Sequence, residues 1–215
     1  MHPFDIRRGA AEVAEVFWSP LKTALTSLTR REDIFMAGRN QMDDFQSVWV
    51  VSMGHLMGLH DASWLGIPAT RKIAFLRYAE FCKVEDGKVV ETAMFCDIPH
   101  LMIQAGVNPF PPQTAAHMVQ PGPVTHSGLM NAVQAPADGD KTLALINAMI
   151  NDLGTWKSGF PLVDELARTW KDDLSWWGPA GMGSTDTIAR YSASHAWPPR
   201  ASFPPATRPV PLCRT

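Results

Sequence analysis

Four residues of one predicted β-hairpin carry side chains that can donate or accept protons. Tyr78, Glu80, Glu91 and Asp97 occur in the segment KIAFLRYAEFCKVEDGKVVETAMFCD, whose two β-patterned halves flank an Asp-Gly pair. Burial in an apolar pocket disfavours the charged form of a carboxyl group and raises its pKa toward the range of acid-base catalysis. These residues are therefore candidates for proton transfer if their face is covered. The alternative is that Glu80 and Glu91 simply face solvent.

The turn of this hairpin determines which side chains share a face. Asp86-Gly87 predicts a two-residue type I′ turn, because both central positions of that turn require positive φ. With this turn Glu85 pairs with Lys88, and alternation along an uninterrupted ladder assigns the other residues. The face with the four candidates is predicted to consist of Leu76, Tyr78, Glu80, Cys82, Val84, Val89, Glu91, Ala93, Phe95 and Asp97.

The histidines lack the spacing of a metal site. His55 and His60 lie near Asp61, but residues at this odd spacing on a strand point to opposite faces, and there is no HExxH motif. The sequence also lacks GxSxG and GxxxxGK[ST] motifs, so neither a nucleophile elbow nor a P-loop is predicted. We therefore expect a site without a metal ion, with imidazoles that are exposed or hydrogen-bonded.

Composition and charge exclude several classes of protein. The 215 residues are 46% hydrophobic and 19% charged, with a formal net charge of −2, which argues against a nucleic-acid binder. No apolar run reaches the roughly 18 to 20 residues of a membrane-spanning helix. Cys82, Cys96 and Cys213 form no CxxC pair, which fits a reducing compartment. We expect a cytoplasmic protein that binds neither nucleic acid nor membrane.

Hydrophobic periodicity and proline positions predict the elements that must position these residues. A β-strand is predicted over 45–53, before the hairpin. Because proline donates no backbone hydrogen bond, residues 111–136 are expected to form a linker and residues 198–215 a coil. Helices are predicted over 9–25, where Pro20 ends or kinks the element, and over 141–154, 160–170 and 185–195.

Four short motifs occur in the order found in a known enzyme family. They are WLGIPAT from Trp64, RYAEF from Arg77, EDGKVVE from Glu85 and DIPHLMIQAG from Asp97. Together they resemble the SnoaL-like polyketide cyclase, or ester cyclase, family. The resemblance implies an α+β cone like that of ketosteroid isomerase and nuclear transport factor 2, in which a strongly curved antiparallel sheet and its helices enclose a pocket. It assigns residues 1–110 to such a domain, without the usual leading helix.

The resemblance also implies a catalytic role for Asp97. In the family, an aspartate at the end of the strand after the Gly-Lys turn is the acid and base of an intramolecular aldol-type ring closure, and Asp97 matches that position. A carboxylate in an apolar pocket suits the removal of a proton next to a carbonyl. No cofactor and no metal ion are expected. A hydrophobic, polyketide-like substrate would be contacted by Tyr78, Glu80, Glu91, Phe95, His55 and Trp64.

Two later motifs resemble the opening of a second copy of this domain. They are WWGPAGMGS from Trp176 and ASFP from Ala201. They imply a tandem arrangement in which residues 137–197 are the helical start of an incomplete second copy, and a homodimer is a further expectation. Two alternatives stay open: a water-activating relative of the same fold that opens epoxides, and a non-catalytic module that binds an apolar small molecule.

Overall fold

Two compact units make up the chain. The computed structural model describes residues 4–111, 113, 115–116, 122–154 and 161–195, so the coil expected over 198–215 lies outside the described residues. Unit 1 comprises Met1–Pro111, Val119–Val133 and Pro179–Gly181, and unit 2 comprises Pro112–Met118, Gln134–Gly178 and Met182–Thr215. Unit 1 holds all of the candidate residues.

Unit 1 contains a four-stranded antiparallel sheet with the strand order β1-β2-β3-β4. The strands are β1 (Leu25–Arg39), β2 (Val48–His60), β3 (Ile73–Glu85) and β4 (Lys88–Cys96). Strands that follow each other in sequence also pair in space, as short connections between antiparallel strands allow. Helices precede and follow this sheet, so the α+β class expected from the sequence is confirmed.

A helical run precedes the sheet over the predicted segment 9–25. It consists of α1 (Gly9–Val13), a π-helical turn (Ala14–Trp18) and α2 (Ser19–Ala24). The Ser19 N–H donates to the carbonyl of Ala14, five residues earlier, which marks a widened turn just before Pro20. Pro20 follows directly, at the second position of α2, and the wider turn before it accommodates the ring and the missing N–H. The helical run therefore continues past Pro20.

The core of unit 1 lies between this helical run and one face of the sheet. We call the face that carries Leu56, Leu76 and Met94 the inner face, and the opposite face the outer face. The helix α3 (Ile98–Gln104) follows β4 directly and adds two buried side chains, His100 and Leu101. The buried apolar residues are Phe17, Leu21, Ala24, Leu25, Leu56, Trp64, Ile67, Ala74, Leu76, Tyr78, Met94 and Leu101.

The predicted hairpin is present, with a β-bulge near its turn. Asp86 and Gly87 both have positive φ, 49° and 71°, as a type I′ turn requires. Glu85 pairs with Lys88 and Val84 pairs with Val89, as predicted. The next pair joins Lys83 to Glu91, which leaves Val90 as an extra residue on β4.

The bulge overturns part of the face predicted for the hairpin. Beyond Val90 each β4 residue is displaced by one position, so Met94 and Cys96 lie on the inner face with Tyr78. Glu91 and Phe95 lie on the outer face, and their predicted place beside Tyr78 and Glu80 is wrong. Burial explains the outcome, because Met94 is 1% exposed whereas Phe95 is 58% exposed. Glu91 also gains Lys83 as its cross-strand neighbour.

β1 is an edge strand that the sequence analysis did not predict. Its pairing with β2 shifts register between Thr26 and Thr29 and again between Glu32 and Ile34. Polar residues and two irregularities interrupt the alternation by which a strand is recognised in a sequence.

The free edge of β1 is met by a short segment from the predicted linker. The Phe35 N–H donates to the carbonyl of Gly128 at 2.8 Å, and the Met130 N–H donates to the carbonyl of Phe35 at 2.8 Å. These two bonds form an isolated parallel bridge between Phe35 and Leu129. Part of the linker thus belongs to unit 1 as a strand-like addition to the sheet.

Unit 2 is mainly helical in the part that the structure describes. Its elements are α4 (Pro136–Gly154), α5 (Leu162–Leu166), β5 (Ser175–Trp176), β6 (Thr185–Asp186) and α6 (Ile188–His195). Three helices lie where the sequence predicts them, but with different bounds. The helix α4 begins at residue 136 rather than 141, α5 ends at residue 166 rather than 170, and residues 185–186 pair with β5 rather than begin a helix. Leu162, Leu166 and Ile188 form a small core, packed by Trp170, Leu174 and Tyr191.

Candidate functional site

An open groove on the inner face of unit 1 brings polar and apolar side chains together. Its volume is about 410 Å³. The strand register brings these side chains together, because Ser52 on β2 lies between Phe35 on β1 and Glu80 on β3. A concave apolar surface with a few convergent polar groups is typical of small-molecule sites. The groove is lined by Arg30, Glu32, Phe35, Val50, Ser52, Glu80, Cys82, Val84 and Val89.

Arg30 is the central polar residue of the groove. Its Nη2 donates to Glu80 Oε2 at 2.7 Å, and its Nε donates to Tyr78 Oη at 3.0 Å. The same Nε lies 3.4 Å from Glu32 Oε1. The guanidinium carbon stands 4.5 Å from the centre of the Tyr78 ring, a cation–π distance. Within the described part of the chain, Nη1 has no hydrogen-bond partner and remains able to donate to a ligand.

A directed chain of hydrogen bonds leads from Arg30 to Glu32. The Ser52 hydroxyl donates to Glu32 Oε1 at 2.9 Å and lies 3.0 Å from Tyr78 Oη. Because the Ser52 proton is directed to Glu32, Ser52 accepts from the phenol, which in turn accepts from Arg30. The chain holds each of these side chains in one orientation, as a reacting site requires.

Burial and the neighbouring charges set the protonation states in the groove. Burial lowers the pKa of Arg30, but the hydrogen bond and charge of Glu80 outweigh it, so the pKa is raised overall. Burial raises the pKa of Tyr78 against the opposing effects of Ser52 and Arg30. Arg30 is therefore a permanent cation and Tyr78 a neutral phenol at physiological pH.

The formal charge of the groove indicates which ligands it accepts. Among its lining residues are one cation, Arg30, and two carboxylates, Glu32 and Glu80. Their formal charges sum to −1 when all three are ionised. Since a buried or partly buried like charge repels an anion, this arrangement favours a neutral or polarisable ligand over a phosphate or carboxylate.

Two thiols lie on the inner face, and neither is prepared to act as a nucleophile. Burial raises the pKa of Cys96 to about 12, and the charges of Glu80 and Asp97 act in the same direction. Burial also raises the pKa of Cys82, whose Sγ lies 3.7 Å from Thr92 Oγ1. Because the thiolate is the reactive form, both cysteines are unreactive at neutral pH.

Asp97, the catalytic candidate of the sequence analysis, lies at the N-terminus of α3. Its Oδ1 accepts from the His100 N–H at 3.2 Å, and its Oδ2 accepts from the Ala180 N–H at 3.0 Å. The carboxylate thus acts as a helix N-cap, a common structural role of aspartate. Asp97 is half-buried and does not line the groove.

The remaining predicted ligand contacts are divided between the groove and other parts of unit 1. Glu80 lines the groove, and Tyr78 lies directly behind it through its bond to Arg30. Glu91 and Phe95 are exposed on the outer face, away from the groove. The structure therefore brings two of these four candidates together.

Trp64 and His55 are buried elsewhere in unit 1. Trp64 lies in the core, where its ring centre is 6.1 Å from those of Phe4 and Phe17. His55 lies on the outer face with its Nδ1 3.2 Å from Asp33 Oδ2. Neither residue lines the groove.

Sequence analysis missed Arg30, Glu32 and Ser52, which carry most of the polar character of the groove. Arg30 and Glu32 lie on β1, the strand whose irregular pattern gave no prediction. One signal was available for Arg30 and Glu32: their alternate spacing in TRRED matches side chains on one face of a strand. Among the described residues, no group of three or more His, Cys, Asp or Glu side chains is placed to hold a metal ion.

Comparisons with known proteins do not identify a family for this chain. No protein-family profile matches the chain, and no curated protein matches it significantly. A solved structure of AclR, a candidate hydroxylase from Streptomyces galilaeus, is similar with a TM-score of 0.38 and 16% identity. The similarity covers 68% of this chain and 74% of that protein. A likeness of this size identifies no shared function.

None of the helices in the described segments is both long enough and apolar enough to cross a membrane.

Proposed function

We propose that unit 1 binds a hydrophobic carbonyl compound in the groove and catalyses proton transfer at the carbon next to its carbonyl. The observation that carries this proposal is Arg30, which donates hydrogen bonds to both Glu80 and Tyr78 and lies in a groove that also has apolar walls. Removal of a proton from a carbon acid requires a base, here a carboxylate, and a fixed cation beside it that stabilises the negative charge on the carbonyl oxygen.

Each groove residue has a defined part in this reaction. Glu80 takes the proton from the carbon, and the electron pair of the broken C–H bond moves onto the carbonyl oxygen. Arg30 stabilises the resulting enolate by donating from Nη1, which has no protein partner among the described residues. If the enolate carbon then attacks a second carbonyl, Glu80 returns the proton to the new alkoxide, and atoms and charge balance without a co-reactant.

The expected SnoaL-like ring closure is one form of this chemistry. We propose it with Glu80 rather than Asp97 as the acid and base, because Asp97 uses both carboxylate oxygens to accept backbone N–H groups. We also propose that the sheet and its helices form the cone fold of that family. The helical run packed on the inner face and the groove at its open part support this fold.

Exchange of carbon-bound hydrogen for deuterium tests the proposal without the natural substrate. The probe is 2-tetralone in D₂O, with loss of its α-proton signal followed by NMR. The wild-type protein should accelerate exchange above the buffer rate. Glu80→Gln should lower the acceleration by about 100-fold or more, since general acid-base groups contribute roughly 100- to 10,000-fold. Glu91→Gln, which alters an exposed carboxylate of the neighbouring strand, is the matched control and should change nothing.

Two results would contradict the assignment of Glu80. Loss of exchange in Asp97→Asn with full activity in Glu80→Gln would return the catalytic role to Asp97. Equal activity in all three variants would remove the role of both carboxylates.

A non-catalytic binding module is a second candidate function. The capping role of Asp97 favours it, because the carboxylate that the family resemblance marks as catalytic is bound to backbone N–H groups. In that case 2-tetralone should shift the amide resonances of Ser52 and Cys82, while the rate of proton exchange stays at that of buffer.

A further inference from the structure

Residues 122–130, which we call the strap, lie against the free edge of β1. The strap is joined to β1 by the two backbone hydrogen bonds of Phe35 with Gly128 and Met130, each 2.8 Å long. Edge strands expose unpaired backbone groups, and covering them is a common way to prevent unwanted pairing. The strap therefore closes part of an edge that would otherwise be open.

Two glycines let the strap approach β1 at Asp33. A Cβ at Gly122 would lie 2.5 Å from Asp33 Oδ1, and a Cβ at Gly128 would lie 2.5 Å from the Asp33 backbone oxygen. Both distances are shorter than real Cβ contacts, so a side chain at either position would push the strap away from the strand. The closed position of the strap is thus specified by glycine and centred on Asp33.

A buried histidine–aspartate pair lies at this point of contact. Asp33 is 6% exposed and His55 is 1% exposed, and Asp33 Oδ2 lies 3.2 Å from His55 Nδ1. Arg31 Nε stands 3.6 Å from Asp33 Oδ1. Arg77, opposite His55 on β3, is buried as well. The imidazole therefore has one carboxylate and two guanidinium groups around it.

We propose that the strap is a proton-operated closure of the β1 edge, in which protonation of His55 releases residues 122–130 from Asp33 and Phe35. Because Phe35 also lines the groove, its release changes one wall of that site.

The electrostatics of His55 give the direction of the switch. Burial lowers its pKa, and the charges of Arg77 and Arg31 act in the same direction, while the hydrogen bond and charge of Asp33 oppose them without cancelling them. While the strap is closed the imidazole is therefore neutral, and the stability that depends on this neutral form is complete above the ordinary histidine pKa of about 6.5. It is lost as the pH falls below that value, because only the open form binds the proton readily. The strap itself adds one titratable group, His126.

Amide hydrogen exchange measured by NMR from pH 7.5 to 5.0 on the full chain tests this proposal. The protection factors of the Phe35 and Met130 amides should fall by up to about tenfold per pH unit below pH 6.5, as uptake of one proton requires. The Ile67 amide, which donates to the carbonyl of Trp64 at 2.8 Å, is the reference for unit 1 and should keep its protection. A parallel loss at Ile67 would indicate global unfolding and overturn the proposal, as would a constant protection factor at Phe35.

Variants identify the group that takes up the proton. His55→Gln should abolish the pH dependence, because glutamine can donate to Asp33 but does not titrate. His126→Gln should retain the pH dependence, and its loss in this variant would assign the switch to the strap histidine instead.

A glycine pair tests the closure even if His55→Gln fails to fold. Gly128→Ala should lower the protection of Phe35 at least tenfold at pH 7.5, since its Cβ overlaps the backbone of Asp33. Gly38→Ala, on the same strand, meets nothing within 4 Å and should leave Phe35 unchanged. Equal protection in the two variants would show that the strap is not seated on Asp33.

Discussion

Whether a carboxylate can transfer protons depends on what its oxygens already accept. Asp97 and Glu80 were both candidates from the sequence, but they have different partners in the structure. Asp97 accepts one backbone N–H on each oxygen, whereas Glu80 is paired through Oε2 with Arg30 and lines the groove. The motif Asp-Ile-Pro is itself a capping signal, because proline is favoured in the first turn after an N-cap. The capping signal predicts a structural role for Asp97, whereas the family resemblance predicts a catalytic one.

Substitution of Asp97 should therefore affect stability. Asp97→Ala removes the cap and the acceptor of the Ala180 N–H, and we expect a loss of about 2 kcal/mol in the free energy of unfolding. Asp97→Asn keeps one acceptor oxygen and should lose about 1 kcal/mol. Urea unfolding followed by circular dichroism measures both. Unchanged stability in Asp97→Ala would show that the carboxylate has no structural role.

At the scale of elements, regular patterns were predicted and irregular ones were missed. The Asp-Gly turn, the hairpin and the positions of the main helices follow from local signals that the sequence displays. The bulge at Val90 and the strand β1 do not, because both depend on which residues the core buries. Met94 is buried at the expense of Phe95, and this preference arises only when α3 and the helical run cover the inner face. The groove was missed for the same reason, since β1 supplies Arg30.

Close contact between β1 and β2 at Gly54 gives a prediction for the sheet. A Cβ at Gly54 would overlap the backbone oxygen of Arg31, so Gly54→Ala should lower the free energy of unfolding by about 1–3 kcal/mol, as overpacking does. Gly38→Ala meets no neighbour and should be neutral or slightly stabilising. Thermal or urea unfolding of the two variants provides the comparison. Equal stability would mean that the strands separate at Gly54 without cost.

At the scale of the whole molecule, each unit has its own core, and the two cores differ in size. Among the described residues, unit 1 buries twelve apolar residues in one cluster, whereas unit 2 buries three. The long helix α4 contributes none of these three. Its apolar residues Leu145 and Ile150 are 51% and 54% exposed. Apolar periodicity correctly predicted a helix here, although it did not indicate that the apolar side of the helix stays exposed.

Substitutions in unit 2 should reflect this distribution of burial. Leu145→Gln and Ile150→Gln should change the free energy of unfolding by no more than about 0.5 kcal/mol, because neither side chain loses buried contacts. Leu166→Ala, at a position only 2% exposed, should cost about 2–5 kcal/mol. Unfolding in urea followed by far-UV circular dichroism separates these expectations. A large loss in the glutamine variants would reveal that α4 packs against another surface in solution.

The extra residue on β4 divides the hairpin into two stretches that can vary independently. Near the turn, Val84 and Val89 line the groove, whereas beyond Val90 the same strand supplies Met94 to the interior. An evolving or engineered protein could therefore reshape the tip to accept a new ligand without repacking the centre of the domain. Deletion of Val90 would keep the strand pairs beyond it and change only the direction of the hairpin tip. This position is therefore suited to engineering the specificity of the groove.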